Sequence, residues 1–247
     1  MSFKVKFNDL LLEHKQIDKE LKINLNKIFN ISAFIGGYEI IKLEKSLSKL
    51  LNVKNVITCN SGTDALQISL MSLNLSRGDE IIIPSFSYIS AIEVVALLGL
   101  TPRLIDIDPN TFNIDINKLE KAITSKTKVI IPVHLFGQNS NMRKIISIAK
   151  KYKIKIIEDS AQSINSKYKI NKKIFKSGTM GDIGCISFFP TKNFLSNDSE
   201  GTREPFKTSF QIPASNFKNN TKTFDKSAKS ATSISAAPIR TLHSTVS

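Results

Sequence analysis

Long apolar runs are missing from this sequence. No stretch of its 247 residues approaches the roughly 18 to 20 consecutive apolar residues that a membrane span needs. Residues 1–15 mix Lys, Asp and Glu among their apolar positions, so they lack the uninterrupted apolar core of a secretory signal peptide. Both absences argue against a membrane or secreted protein, and the expected location is the cytoplasm.

Cysteine and histidine are scarce. The chain has two cysteines, Cys59 and Cys185, and three scattered histidines, His14, His134 and His243. These ligands are too few and too dispersed to predict a metal site. Each cysteine lies in an apolar run that is typical of a strand, which favours buried thiols over a disulfide or redox pair.

Acidic residues are the minority charge, and the formal net charge is +14. The lysines are spread along the chain, without an Arg-rich arm or an aromatic–basic motif. This pattern favours solvated surface charge over a nucleic-acid partner, which stays a remote alternative. A basic surface would also suit an anionic small substrate.

Short β-branched runs alternate with helical patterns in the first two thirds of the chain. Strands are predicted at 55–59, 80–84, 103–107, 129–134 and 154–158, and helices at 17–29, 38–51, 63–75, 88–98, 114–123 and 141–152. Continuous apolar strands are buried on both faces. The alternation therefore predicts an α/β three-layer sandwich with a mostly parallel sheet, which would bind ligands at the carboxyl ends of its strands.

The character of the chain changes after this alternation. Residues 164–182 are polar and Lys-rich and predict an excursion such as a hairpin, and a strand-like run follows at 182–189. From Leu195 onward, Ser, Thr, Asn and Lys dominate without apolar periodicity. We expect one large domain over residues 1–193 and a divergent, disordered tail over 194–247.

The turn Ser61-Gly62-Thr63, after the first predicted strand, is a candidate phosphate site. Glycine lets the backbone approach a ligand closely. The N-terminus of the following helix offers unpaired N–H groups and a positive dipole end. An ordinary helix cap would use the same residues, so the turn alone supports both interpretations.

Asp159 and Lys192 are the other candidates for chemistry. A carboxylate at the end of a buried strand is costly unless it meets a cation, for example a protonated pyridine nitrogen. A desolvated lysine amine is a good nucleophile. Taken singly, a capping aspartate and a surface lysine are the plainer interpretations. Together, a phosphate cradle, an acid and an amine, in this order, are what pyridoxal phosphate (PLP) needs.

The segment from about Ala33 to Asn193 resembles the DegT/DnrJ/StrS family of PLP-dependent aminotransferases, which have the fold-type I architecture. The matching stretches are residues 37–40, 60–66, 83–88, 132–138, 158–162 and 187–193. The resemblance implies that Lys192 carries PLP and shuttles a proton, and that Asp159 keeps the ring nitrogen protonated. It further implies cofactor contacts by Gly62, Thr63 and Ser187 to the phosphate, by Gln162 to the phenolic oxygen and by Tyr88 to the ring face.

The same resemblance implies a reaction. Dehydratase-type relatives carry a histidine at the position of Lys192, so the lysine indicates transamination. The expected substrates are a nucleotide-linked keto-sugar and an amino-acid donor, typically glutamate, in polysaccharide or cell-surface sugar biosynthesis. Family members are homodimers, and His134 is expected to give structural support.

The family pattern normally continues past Asn193 with more strands and a small domain, which are not recognisable here. We therefore expect a truncated or divergent chain with an incomplete sheet. The alternative function is a non-catalytic family remnant that binds a partner through an open sheet edge or its basic tail.

Overall fold

The computed structural model describes residues 10–192 and Phe210–Ala214. Two helices come first, and strands then alternate with helices. The helices are α1 (Leu10–Asn30), α2 (Tyr38–Leu51), α3 (Gly62–Met71), α4 (Ser90–Leu97), α5 (Ile116–Leu119) and α6 (Met142–Tyr152). The strands are β1 (Asn55–Cys59), β2 (Glu80–Pro84), β3 (Thr101–Ile105), β4 (Thr127–Ile130), β5 (Lys155–Asp159), β6 (Lys167–Ile170), β7 (Lys173–Lys176), β8 (Ile183–Cys185) and β9 (Phe210–Ala214). No helix within the described residues has both the length and the apolar character to cross a bilayer.

Seven strands form the central sheet, in the order β1-β9-β8-β5-β4-β2-β3. The pairs β2–β3, β2–β4, β4–β5 and β5–β8 are parallel, whereas β9 runs antiparallel to both β1 and β8. The predicted α/β class with a mostly parallel sheet is confirmed. The strands β6 and β7 pair outside this sheet as an antiparallel hairpin, as the Lys-rich excursion predicted.

Both faces of the sheet are covered by helices. On β2, Ile81 and Ile83 pack with apolar residues of α3 and α4, while Ile82 packs with residues of α6 on the other face. All three isoleucines are fully buried. Side chains alternate along a strand, so a continuous apolar run supplies both layers at once. The helix α2 packs separately near β1, through Leu43, Leu47 and Leu51.

One strand and one helix are shorter than the sequence predicts. The strand predicted at 129–134 ends at Ile130 because Pro132 has no N–H to donate to a neighbouring strand. The helix predicted at 114–123 shrinks to α5 and a short 3₁₀ turn, capped by Asp115, whose side chain accepts from the Asn117 N–H at 2.9 Å.

The strand β9 lies in the segment that was expected to be a disordered tail. Its five residues pair along β1, from Asn55 with Ala214 to Cys59 with Phe210. Strand edges present unpaired backbone groups that an extended segment can satisfy, and this gain does not require apolar periodicity. Within the described residues the sheet therefore continues from β8 through β9 to β1. The rest of the expected tail, residues 194–209 and 215–247, lies outside the described residues.

Candidate active site

A cavity of about 300 Å³ lies at the carboxyl ends of the parallel strands. Its walls come from the N-terminus of α3, the loop after β2, the end of β5 and the segment after β8. All seven residues predicted as cofactor contacts line it, namely Gly62, Thr63, Tyr88, Asp159, Gln162, Ser187 and Lys192. Residues up to 130 positions apart in sequence thus meet in one place, as the rule for ligand sites of parallel sheets predicts.

A second cavity, of about 360 Å³, lies elsewhere and contains none of these residues. Amide and carboxylate side chains such as Asn113, Asp115 and Asn141 line it. Their oxygens already accept hydrogen bonds from Leu135, Asn117 and Lys144 N–H groups. The lining of this cavity offers no amine beside a buried acid, which distinguishes it from the first cavity.

The N-terminus of α3 presents two unpaired N–H groups. Ser61 caps the helix: its Oγ accepts from the Asp64 N–H at 3.0 Å, and its carbonyl accepts from the Ala65 N–H at 2.8 Å. The N–H groups of Gly62 and Thr63 have no hydrogen-bond partner among the described residues. Unpaired N–H groups at the positive end of a helix bind anions. The two interpretations of this turn are therefore compatible, because the cap uses different donors from the anion site.

Asp159 is the last residue of β5 and is almost fully buried. Its Oδ1 accepts from the Ala161 N–H at 3.1 Å. Burial raises the pKa of this carboxyl above its ordinary value, an effect that the Ala161 N–H partly opposes. A cation beside the carboxylate would remove much of this desolvation cost.

Lys192 and Tyr88 face each other at the rim of the cavity. The Lys192 Nζ lies 6.0 Å from the centroid of the Tyr88 ring. The backbone N–H of Lys192 donates to the Phe189 carbonyl at 2.8 Å, so a tight turn presents the side chain. No carboxylate of the described residues lies within ion-pair distance of the amine, which leaves it available for chemistry.

Three hydroxyl or amide groups complete the lining. Ser187 is buried, and its Oγ accepts from the Phe189 N–H at 3.3 Å, so its own proton can be donated. The Gln162 Oε1 accepts from the Phe136 N–H at 2.8 Å. The Ser87 Oγ is buried without a hydrogen-bond partner among the described residues. Sequence reasoning missed Ser87, although it lies in the matched stretch 83–88, because nothing distinguishes it there from Ser85.

Behind the cavity, a fully buried carboxylate makes four hydrogen bonds. Glu158 accepts from His134 Nε2 at 2.9 Å, from the Gly178 N–H at 3.0 Å, and from the Met180 and Gly181 N–H groups at 2.5 Å each. The expectation that His134 gives structural support agrees with this contact. The donors from residues 178–181 could not be foreseen, because they depend on where the chain returns after the hairpin.

Both cysteines are free thiols in the structure. Cys185 is buried, as predicted, lines the cavity, and lies 3.3 Å from the Ser69 hydroxyl. Cys59 is only half-buried. Burial raises the pKa of both thiols, that of Cys59 to about 11.

Residues 15–201 match the model of the DegT/DnrJ/EryC1/StrS aminotransferase family. The chain belongs to this family. The match confirms the resemblance drawn from the sequence motifs, and it spans every residue that lines the cavity.

Individual relatives agree with the family assignment. The chain is 42% identical over 188 residues to a UDP-2-acetamido-2-deoxy-3-oxo-D-glucuronate aminotransferase of Pseudomonas aeruginosa, covering 76% of this chain and 51% of the relative. The solved DegT DnrJ EryC1 StrS aminotransferase of Brucella abortus superposes with a TM-score of 0.76 at 32% identity, covering 87% of this chain and 56% of that one. NtdA of Bacillus subtilis, solved with bound cofactor PMP, superposes with a TM-score of 0.71 at 35% identity, covering 87% and 46%.

The chain of this family member spans about half the length of the curated relatives it matches. The matched residues 15–201 contain strands β1 to β8 and every residue that lines the cavity.

Proposed function

We propose that this chain is the PLP-binding part of an aminotransferase that moves an amino group, from glutamate, to a nucleotide-linked keto-sugar. One observation carries the proposal: a single cavity combines the open N–H pair of Gly62 and Thr63, the buried Asp159 carboxylate and the Lys192 amine. Residues 1–193 form the cofactor-binding domain in this proposal.

The polar groups of the cavity fit PLP. The unpaired N–H groups of Gly62 and Thr63, with the Ser187 hydroxyl, suit a phosphate. The unpartnered Ser87 Oγ indicates that a further polar group belongs in the cavity, since buried hydroxyls are normally hydrogen-bonded. NtdA, with its bound PMP, shows that a similar fold holds the amino form of this cofactor.

When bound, PLP acts as an electron sink for the carbon that exchanges its amino group. The protein then has to bind, orient and move protons. Asp159 would hold a proton on the ring nitrogen, Gln162 would contact the phenolic oxygen, and Tyr88 would cover the ring face. Lys192 Nζ would hold the cofactor at rest and, once the amino donor has displaced it, would move the proton to and from the reacting carbon.

The substrate class follows from the relatives. The Pseudomonas aeruginosa relative is named for a UDP-linked 3-oxo sugar, and an excess of basic residues suits an anionic nucleotide diphosphate. We propose polysaccharide or cell-surface sugar biosynthesis as the context, in the cytoplasm, by a homodimer without nucleic-acid or membrane partners.

The test is to incubate the 247-residue chain with PLP, reduce with borohydride and map the pyridoxyl group by peptide mass spectrometry. We expect one adduct, on Lys192, and none in a Lys192→Met variant. The control is Lys169→Met, which removes an exposed lysine of β6 and should leave the adduct intact.

Adducts scattered over many lysines, or none, would contradict the proposal. The alternative of a non-catalytic remnant would then be favoured. A positive result would justify a screen of nucleotide-linked keto-sugars with glutamate as the donor.

A further inference from the structure

We propose that His134 is a positioning residue for Gln162, one of the polar side chains assigned to the cofactor ring. The inference rests on the proposed function for what that side chain faces. The contacts that carry it belong to the chain itself and do not depend on a cofactor.

Two hydrogen bonds indicate the tautomer of the His134 ring. The Ser140 N–H donates to Nδ1 at 3.1 Å, so Nδ1 is an acceptor without a proton. Nε2 therefore carries the proton and donates it to Glu158 at 2.9 Å. Both side chains are fully buried. Three backbone N–H groups also donate to the Glu158 carboxylate.

The backbone of His134 pairs with that of Asp159. The His134 N–H donates to the Asp159 carbonyl at 3.0 Å, and the Asp159 N–H donates to the Pro132 carbonyl at 2.9 Å. Neighbouring side chains on a strand point to opposite faces, so Glu158 points away from the cavity that Asp159 lines. The His134 side chain thus binds Glu158 on one face of β5, whereas its pairing with Asp159 uses the backbone alone and does not depend on the imidazole ring.

The His134 ring also closes the loop that reaches Gln162. Nδ1 holds the far end of residues 134–140 through the Ser140 N–H. Within this loop Phe136 adopts a φ of 55°, in the left-handed region that a bulky residue rarely occupies. Its N–H donates to the Gln162 Oε1 at 2.8 Å. An amide oxygen accepts and an amide nitrogen donates, so this contact fixes the orientation of the Gln162 amide, with Oε1 towards the Phe136 N–H.

Three substitutions separate the two contacts of the ring. His134→Asn places an amide oxygen near the Nδ1 position and keeps an acceptor for the Ser140 N–H. His134→Gln places an amide nitrogen near the Nε2 position and keeps a donor for Glu158. His134→Leu keeps neither. The control is Thr127→Val, which removes a buried hydroxyl bonded to Glu80 at 3.2 Å, at the opposite ends of the strands.

The first readout uses the cofactor-free chain. We expect amide hydrogen exchange at Phe136 and Ser140 to accelerate about tenfold or more in His134→Gln and His134→Leu. In His134→Asn and Thr127→Val the two rates should stay within about threefold of the parent rates. Unchanged protection in His134→Leu would overturn the proposal, whether or not the chain binds PLP.

The second readout is the pH midpoint of the visible absorption change of the PLP-loaded chain. The ionisable groups that line the cavity are Tyr88, Asp159, Cys185 and Lys192. Loss of an ordered amide donor at the phenolic oxygen should raise the midpoint by about half a unit or more in His134→Gln and His134→Leu. The midpoint of His134→Asn should equal that of the parent, and Thr127→Val should not move it.

An unmoved midpoint in variants that have lost loop protection would overturn the link between His134 and the ring. If the parent chain forms no adduct at Lys192, the proposed function fails, and the exchange experiment still decides whether His134 holds the loop.

Discussion

The Lys192 Nζ lies 6.0 Å from the centroid of the Tyr88 ring. Tyr88 lies in the loop after β2 and Lys192 in the turn that follows β8, so two segments more than 100 residues apart in sequence bound the same opening. Tyr88 is 68% exposed, which is high for a large aromatic residue. A planar ring inserted between Tyr88 and the cavity floor would cover this surface.

Tyr88→Leu should therefore weaken PLP binding about three- to tenfold, because stacking between aromatic rings is worth roughly 0.5–1.5 kcal/mol. Tyr88→Phe keeps the ring and should bind PLP within about twofold of the parent affinity. The measurement is a fluorescence or absorbance titration with PLP. Equal losses in both variants would show that the hydroxyl, not the ring face, makes the contact.

Asp159→Asn should make the cofactor-free chain more stable than the parent chain, by a margin that grows as the pH rises. Burial keeps the Asp159 pKa above its ordinary 3.8 in the folded state, so above about pH 4 the unfolded state releases a proton that the folded state keeps. Folding stability of the parent chain then falls with rising pH, until the raised pKa is reached. An asparagine has no such proton.

Thermal unfolding from about pH 4 to pH 7 tests this prediction. The melting temperature of the Asn variant should exceed that of the parent by a margin that grows with pH. The exposed Glu93→Gln change is the control and should show no such trend. Added PLP should reverse the order, since its ring nitrogen supplies the missing cation. A pH-independent difference would contradict the prediction.

Gly62→Pro should lower the affinity for PLP about tenfold or more. Proline is tolerated at the first position of a helix, and Ser61 has the extended φ of −151° and ψ of 161° that suits a residue before proline. The substitution thus removes one unpaired N–H from the phosphate site, and hydrogen bonds to charged groups are worth roughly 1.5–3 kcal/mol. Gly62→Ala keeps the N–H and is the matched control. Equal affinities of the two variants would show that the Gly62 N–H makes no contact with the phosphate.

Cys59 should react slowly with iodoacetamide despite being half-exposed. Burial, aided by the charge of Asp64, raises its pKa to about 11, so at pH 8 about one thiol in a thousand is ionised. The alkylation rate should rise about tenfold per pH unit up to about pH 10. Mass spectrometry of the peptides measures this rate for Cys59 separately from Cys185. Asp64→Asn should speed the reaction. Rapid labelling at pH 8 would contradict the raised pKa.

Much of the fold could be predicted because the strands are locally unambiguous. The bounds of β1 and β2 agree with the prediction, since apolar β-branched runs end at turn residues there. All seven cofactor-contact residues lie at or after the carboxyl ends of strands and line one cavity, so their convergence could be predicted too. Their individual roles stay predictions until the adduct and the variants are measured.

The sequence alone determined the order of the motifs along the chain, the amphipathic periods and the residue types at the strand ends. They specified the α/β class, the family and the ends of the strands where ligands bind. Only the tertiary structure decided which backbone groups meet. It placed β9 between β1 and β8, and it brought the N–H groups of Gly178, Met180 and Gly181 onto Glu158. Every residue except proline carries the same backbone donor and acceptor, so the partners of these groups depend on where the chain returns in space and leave little pattern in the sequence.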